Sequence, residues 1–261
     1  MIALDFGFGA PETEFWRVVF LMTRIGAAMM AAPIFGAAII PVTVRTCATG
    51  AVAVFVAAWM PGIPVPEALF SVQGLLAVLG EVLVGVSLGF VLQIAFAAPV
   101  VAAELIGGGM GMSMAMAADP SGGGQTTAFG QFFTIVLTLI FLATGAHLHW
   151  IHLVVESYNA FPPGETWLGA DKFALIASFA GTMLETAVRI ALPVTLVLLL
   201  VQILTGVLSR SAPSLNLFAL GLPAGVLAGI TAVILAAPMI YDQLAGVTAT
   251  SLEQVEEVLI R

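Results

Sequence analysis

Apolar residues run in long blocks, broken by short stretches rich in glycine, proline and small polar side chains. A membrane-crossing helix needs about 20 mainly apolar residues. Six stretches qualify: approximately Phe15–Phe35, Pro41–Met60, Leu69–Ala98, Thr126–Val155, Phe173–Leu208 and Leu215–Ile240. Pro33, Pro99, Pro193, Pro223 and Pro238 fall inside or beside these blocks, and each removes a backbone donor and bends or breaks a helix. The fifth block would reach about 54 Å as one straight helix, against a hydrocarbon core of about 30 Å. A kink near Pro193 or a re-entrant path is therefore expected there. The pattern predicts an all-α membrane protein of about six long, kinked hydrophobic helical segments. It reads as one domain over residues 1–261, with a hydrophobic helical core over 14–240. Ser251-Leu-Glu-Gln254 has the form of a capping box. Leu252, Val255, Val258 and Leu259 recur at helical spacing, so a short amphipathic helix is expected over 242–261.

Between the third and fourth segments the pattern changes. Gly107, Gly108 and Gly109 lead into Met110, Gly111, Met112, Ser113, Met114 and Met116, followed by Asp119, Pro120, Ser121 and Gly122, Gly123 and Gly124. Four of the eleven methionines thus alternate with other residues. In an extended chain all four share one face, whereas a helix places Met110 and Met114 nearly opposite Met112 and Met116. Glycine costs about 1 kcal/mol relative to alanine within a helix, so a loop is expected over 107–124. Methionine gives apolar contact without a fixed shape, which suits a seal or an adaptable surface.

Composition narrows the class. The chain is 61% hydrophobic and 8% charged, against roughly 25% charged residues in soluble domains. Too little polar surface exists to face water, which points to a membrane or membrane-assembly protein. Fifteen acids against seven bases give a net charge of −8, and no basic stripe is present to meet nucleic acid. Cys47 stands alone, so no internal disulfide can form. The N-terminus has no basic region of the secretory type. Arg45 and Arg210 lie in short connections and Lys172 precedes the fifth block. With so few bases, orientation is weakly encoded; the acidic N-terminal tail and Arg45 favour an outside N-terminus. Contacts beyond lipid are expected to fix the placement.

Several polar groups invite chemistry. His147, His149 and His152 cluster, yet no cysteine or carboxylate group completes a metal site before Glu156; a polar helix end with Trp150 at an interface is the expectation. Glu81 and Glu104 sit in apolar surroundings, where an ionised side chain costs about 3 kcal/mol at the bilayer centre. Interhelical or intersubunit contacts are favoured over proton relay. Glu185 and Arg189 have the spacing of a helical ion pair, as do Glu14 and Arg17. Arg24 lacks a local partner and is expected to meet another helix or subunit. Asp119-Pro120-Ser121-Gly122 is turn chemistry, and the glycines lack the Gly-Lys-Ser/Thr ending of a phosphate loop. No hydrolase or zinc-protease motif appears. No enzymatic activity, cofactor or metal is expected.

Certain runs together resemble a known family. These are Pro41-Val-Thr-Val-Arg45, Glu81-Val-Leu-Val-Gly-Val-Ser-Leu-Gly-Phe90, the Gly/Met stretch into Asp119-Pro120-Ser121, Gly130-Gln-Phe132, Gly145-Ala-His147 and Ala191-Leu-Pro-Val194. Ser209-Arg210-Ser-Ala-Pro213-Ser-Leu-Asn216-Leu-Phe218 is the most specific. The chain resembles, over nearly its whole length, the flagellar biosynthetic protein FliR family with its injectisome counterparts. The resemblance implies a subunit of the type III export gate in the bacterial inner membrane, at the flagellar basal body. It implies assembly with FliP and FliQ, contact with FlhB, the basal-body ring and membrane lipid, and passage of unfolded flagellar proteins. By position, 107–124 corresponds to the family's plug, here unusually dense in methionine and glycine. Arg45, Glu81, Glu104, Arg189, Arg210 and Asn216 become candidate assembly contacts. The competing readings are an injectisome gate subunit, a small-molecule secondary transporter using midplane acids, and a metalloenzyme built on the histidines.

Overall fold

The structure, a computed structural model, describes residues 11–66, 71–112, 128–164, 169–211 and 217–260. Seven helices and no strand occur among the described residues: α1 (Pro11–Ala31), α2 (Val42–Trp59), α3 (Val72–Gly109), α4 (Ala128–Ala143), α5 (Ala146–Ala160), α6 (Ala170–Ser211) and α7 (Leu217–Leu259).

Four of these are long and apolar enough to cross a membrane, over Val42–Trp59, Val72–Gly109, Ala170–Leu208 and Pro223–Leu259. The pair α4 and α5, bent by 70° at its break, makes a fifth if taken as one span. Among the described residues this gives four or five spans, against the six hydrophobic segments expected. The block Thr126–Val155 is divided, with Gly145 at the break in the left-handed region (φ +73°) that favours glycine. The first block falls short because α1 carries Glu12, Glu14, Arg17 and Arg24 within its 21 residues.

Three further expectations change. α6 is one continuous helix with Pro193 inside it, not a re-entrant path. Residues 242–259 continue α7 through Pro223 and Pro238 and do not form a separate short helix. α3 runs through Gly107, Gly108 and Gly109, so the loop expected from residue 107 does not begin there. At 38, 42 and 43 residues, α3, α6 and α7 would be about 57, 63 and 65 Å long if straight. Tertiary packing outweighs the helix-breaking propensities in these long elements.

The chain divides into two compact units. The first comprises Met1–Ile94, Gly145–Phe179 and Thr250–Arg261; the second comprises Ala95–Thr144 and Ala180–Ala249. In the first, Phe20, Leu21, Ile25 and Ala28 of α1 are buried with Val84, Leu88 and Val91 of α3 and Trp150, Leu153 and Val154 of α5. In the second, Ala102, Ala103 and Ile106 of α3, Phe133, Leu137 and Phe141 of α4, and Ile190, Val194 and Leu198 of α6 are buried. Phe96 and Phe141 meet edge to face, with ring centres 5.7 Å apart. Leu196, Leu199, Leu200, Ile203, Leu204, Val207 and Leu208 of α6 are exposed. That apolar surface suits lipid or another apolar protein surface.

Candidate functional site

Within the first unit, the strongest polar feature is Arg24 of α1, whose side chain is fully buried together with that of Glu81 of α3. Arg24 Nε donates to Glu81 Oε2 at 2.8 Å, and Nη2 donates to Glu81 Oε1 at 2.7 Å. This is the two-pronged geometry that arginine makes with a carboxylate. Nη2 also donates to Phe161 O at 2.7 Å, while Nη1 donates to Ser157 O at 2.7 Å and Ser157 Oγ at 3.2 Å. The five N–H groups of the guanidinium thus match five contacts. Two of the acceptors are carbonyls at the C-terminal end of α5: Ser157 O, which also accepts the Phe161 N–H at 2.8 Å, and Phe161 O just past the helix.

Around this knot the packing is close. Arg24 Cζ lies 4.2 Å from the centre of the Tyr158 ring, and Tyr158 donates its hydroxyl to Leu21 O at 2.7 Å. Trp150 Nε1 donates to Leu88 O at 3.3 Å, and Phe35 stacks on the Trp150 ring. Trp150 is fully buried, which corrects its expected place at a membrane interface. Glu81, Gly85 and Gly89 recur every four residues and so share one face of α3. A Cβ on Gly85 would overlap Arg24 O and lie 2.9 Å from Ala27 Cβ; one on Gly89 would overlap Ala28 O and lie 2.6 Å from Ala31 Cβ. The glycines let α1 and α3 approach through their backbones, the device by which helices pack where lipid supplies no hydrophobic drive.

Other first-unit bases cap backbone. Arg45 donates from Nη2 to Gly36 O, Ala37 O and Ile40 O at 3.4, 3.0 and 3.3 Å, tying the connection between α1 and α2. Arg17 donates to Met60 O at 3.0 Å, just past the end of α2, and sits 3.7 Å from Glu14. Lys172 donates to Glu257 O at 3.2 Å and to Ile260 O. His149 and Glu256 are 2.9 Å apart on an exposed surface. No group of three metal-ligating side chains occurs among the described residues.

In the second unit, the end of α3 is the feature of interest. Gly107 and Met110 are buried, Gly108 is exposed, and Gly109, Gly111 and Met112 are half-buried. Met110 N–H still bonds to Ile106 O at 3.0 Å. Gly111 then takes φ +82°, the left-handed conformation that ends many helices. Gln202 of α6 donates its amide to Gly109 O at 2.8 Å. Met114, Met116, Asp119, Pro120, Gly122, Gly123, Gly124 and Asn216 lie outside the described residues. Glu104 is exposed on α3 and Arg210 in the last turn of α6. Glu185 and Arg189 form an exposed pair at 2.6 Å along α6.

The structure therefore joins Glu81 to Arg24, while Arg45 is engaged within its own unit and Glu104, Arg189 and Arg210 remain on the surface. Sequence reasoning missed the pairing of Arg24 with Glu81 and the role of Gln202. The four-residue spacing of Glu81, Gly85 and Gly89 was the available signal for the first; Gln202, the one amide side chain of α6 and set inside the leucine-rich run 196–204, was the signal for the second.

Comparison with known proteins gives this architecture its relatives. The family model described as bacterial export proteins, family 1, matches residues 15–250. The chain is similar to the flagellar biosynthetic protein FliR of Pectobacterium carotovorum subsp. carotovorum, with 33% identity covering 87% of this chain and 84% of the relative. It is similar to FliR of Aquifex aeolicus at 31% identity over 83% of each chain. FliR of Escherichia coli K12 is 29% identical over 87% of this chain and 84% of its own length. With its apolar helices and a match across nearly its full length, the chain belongs to family 1 of the bacterial export proteins, the family of the flagellar biosynthetic protein FliR.

Proposed function

We propose that this chain is a non-enzymatic pore and gate subunit of the flagellar type III export apparatus in the bacterial inner membrane. It assembles with FliP and FliQ, meets FlhB and the basal-body ring, and helps enclose a conduit for unfolded flagellar proteins. The observation that carries this reading is the family match across residues 15–250, with relatives named for flagellar biosynthesis. Those names favour flagellar over injectisome use. The helix lengths add support, because α3, α6 and α7 outrun a bilayer of about 30 Å and leave apolar surface for sister subunits.

The gating segment begins where α3 ends, and the methionines beyond Gly111 provide a soft apolar seal. Exposed Glu104, Arg189 and Arg210, together with Asn216, serve as assembly contacts; Glu81 and Arg45 act from within, by fixing the helices that carry the surface. A secondary transporter reading loses its best acid, since Glu81 is the one buried carboxylate among the described residues and is held by Arg24. Co-expression with FliP and FliQ followed by affinity purification tests the assignment. The gate subunit is expected to emerge in a defined complex with both; a stable homo-oligomer free of them would support the transporter instead.

A further inference from the structure

Met110 was expected to seal with its neighbours, yet it is 1% exposed at the end of a helix rich in glycine. Its cover comes from α7. A Cβ on Gly229 would overlap Met110 Cε, and would lie 2.6 Å from its Cγ and 2.9 Å from its Sδ. A Cβ on Gly225 would lie 3.3 Å from Met110 O. These glycines are four residues apart and share a helix face, so together they form a notch that only missing side chains can provide. α6 closes the other side. Leu198 Cδ1 lies 3.0 Å from the place of a Cβ on Gly109, and Gln202 donates its amide to Gly109 O at 2.8 Å. That bond satisfies one of the carbonyls a helix end leaves open. Immediately afterwards Gly111 turns the chain through positive φ.

We propose that Met110, seated in the Gly225/Gly229 notch and backed by Gln202, is a positioning anchor that fixes where the chain leaves α3, and is not itself a sealing residue. This rests on the gate reading above for its functional meaning, but its geometry stands apart from it. The steric fit is specific to one side chain and one helix face. Filling the notch expels Met110, and shrinking Met110 restores the fit, because Gly229→Val adds as many heavy atoms as Met110→Ala removes. Volume-conserving exchanges are the best tolerated in packed sites.

The test uses the assembled complex with the exposed Cys47 replaced by serine and a reporter cysteine introduced by Met112→Cys. Maleimide labelling of the reporter is measured alongside ion leak in cells. Gly229→Val is expected to raise the labelling rate about tenfold, the change in seated population that about 1.4 kcal/mol of overpacking produces. Gly229→Val with Met110→Ala returns labelling and leak to the parent values, and Gln202→Ala, which leaves the notch open, gives a smaller rise. Unchanged labelling in both Gly229→Val and Gln202→Ala overturns the anchor, as does failure of the double variant to restore it. Replacing residues 113–124 by a Gly-Ser linker separates the two readings. Labelling as expected, with no leak from Gly229→Val or from the linker, leaves the anchor standing and removes the gate. Leak from the linker alone removes the anchor's part in sealing.

Discussion

The two units hold their helices by opposite means. In the first, Arg24 joins α1, α3 and α5 through charge and hydrogen bonds inside a tight core. In the second, the end of α3 meets α7 through a methionine in a glycine notch, with a single side-chain bond from α6. A buried charge knot tolerates little change, because any unpaired member is stranded away from water. A thioether in a notch depends on shape, and shape can be conserved by compensating exchange. The comparison teaches that the first unit is held together at its centre by charge, whereas the part next to the glycine- and methionine-rich segment is held by packing of complementary shape.

Breaking the knot should have the largest effect. Arg24→Ala leaves Glu81 buried and unpaired, a loss of about 3–5 kcal/mol, and should abolish recovery of a folded complex. Arg24→Met with Glu81→Leu should recover part of that loss, since exchanging a whole buried pair for apolar groups is often near neutral; thermal unfolding in detergent compares the two. Next comes Gly89→Leu, which forces α1 away from α3 where the backbones touch. Overpacking of this kind costs about 1–3 kcal/mol or more, and a lowered unfolding temperature with reduced α1 protection from hydrogen exchange would register it. Gln202→Ala in the second unit should cost about 1 kcal/mol, the typical value of one hydrogen bond. Exposed Glu185→Ala should change stability by less than about 0.5 kcal/mol. A Gln202→Ala effect as large as that of Arg24→Ala would erase the contrast between the units.

Much of the architecture was legible in the sequence, for reasons that can be named. Long apolar runs and scarce charge predicted helices and membrane association, and the motifs from Pro41 to Phe218 pointed to the family that the comparisons confirm. Proline and glycine misled the boundaries. Local propensity argued for a kink or a re-entrant path at Pro193 and for a loop from Gly107; α6 continues through Pro193 and α3 through Gly109 because packing along a long helix outweighs a few unfavourable residues. The C-terminal capping box was a local signal inside a helix already under way. The partner of Arg24 lay 57 positions away; the spacing of Glu81, Gly85 and Gly89 marks a packing face of α3 but does not name Arg24, and only the fold brings Ser157 and Phe161 to the same guanidinium. Met110 was read with its neighbours by spacing alone, while its burial depends on glycines of α7 more than a hundred residues later.

The gate reading meets its most direct test in ion leak through the assembled complex. Replacing residues 113–124 by a Gly-Ser linker of equal length, with α3 and its Met110 seat left intact, should raise ion permeability and slow growth while FliP and FliQ still co-purify. Unchanged permeability in a complex of normal composition would contradict a sealing role for the segment that follows α3.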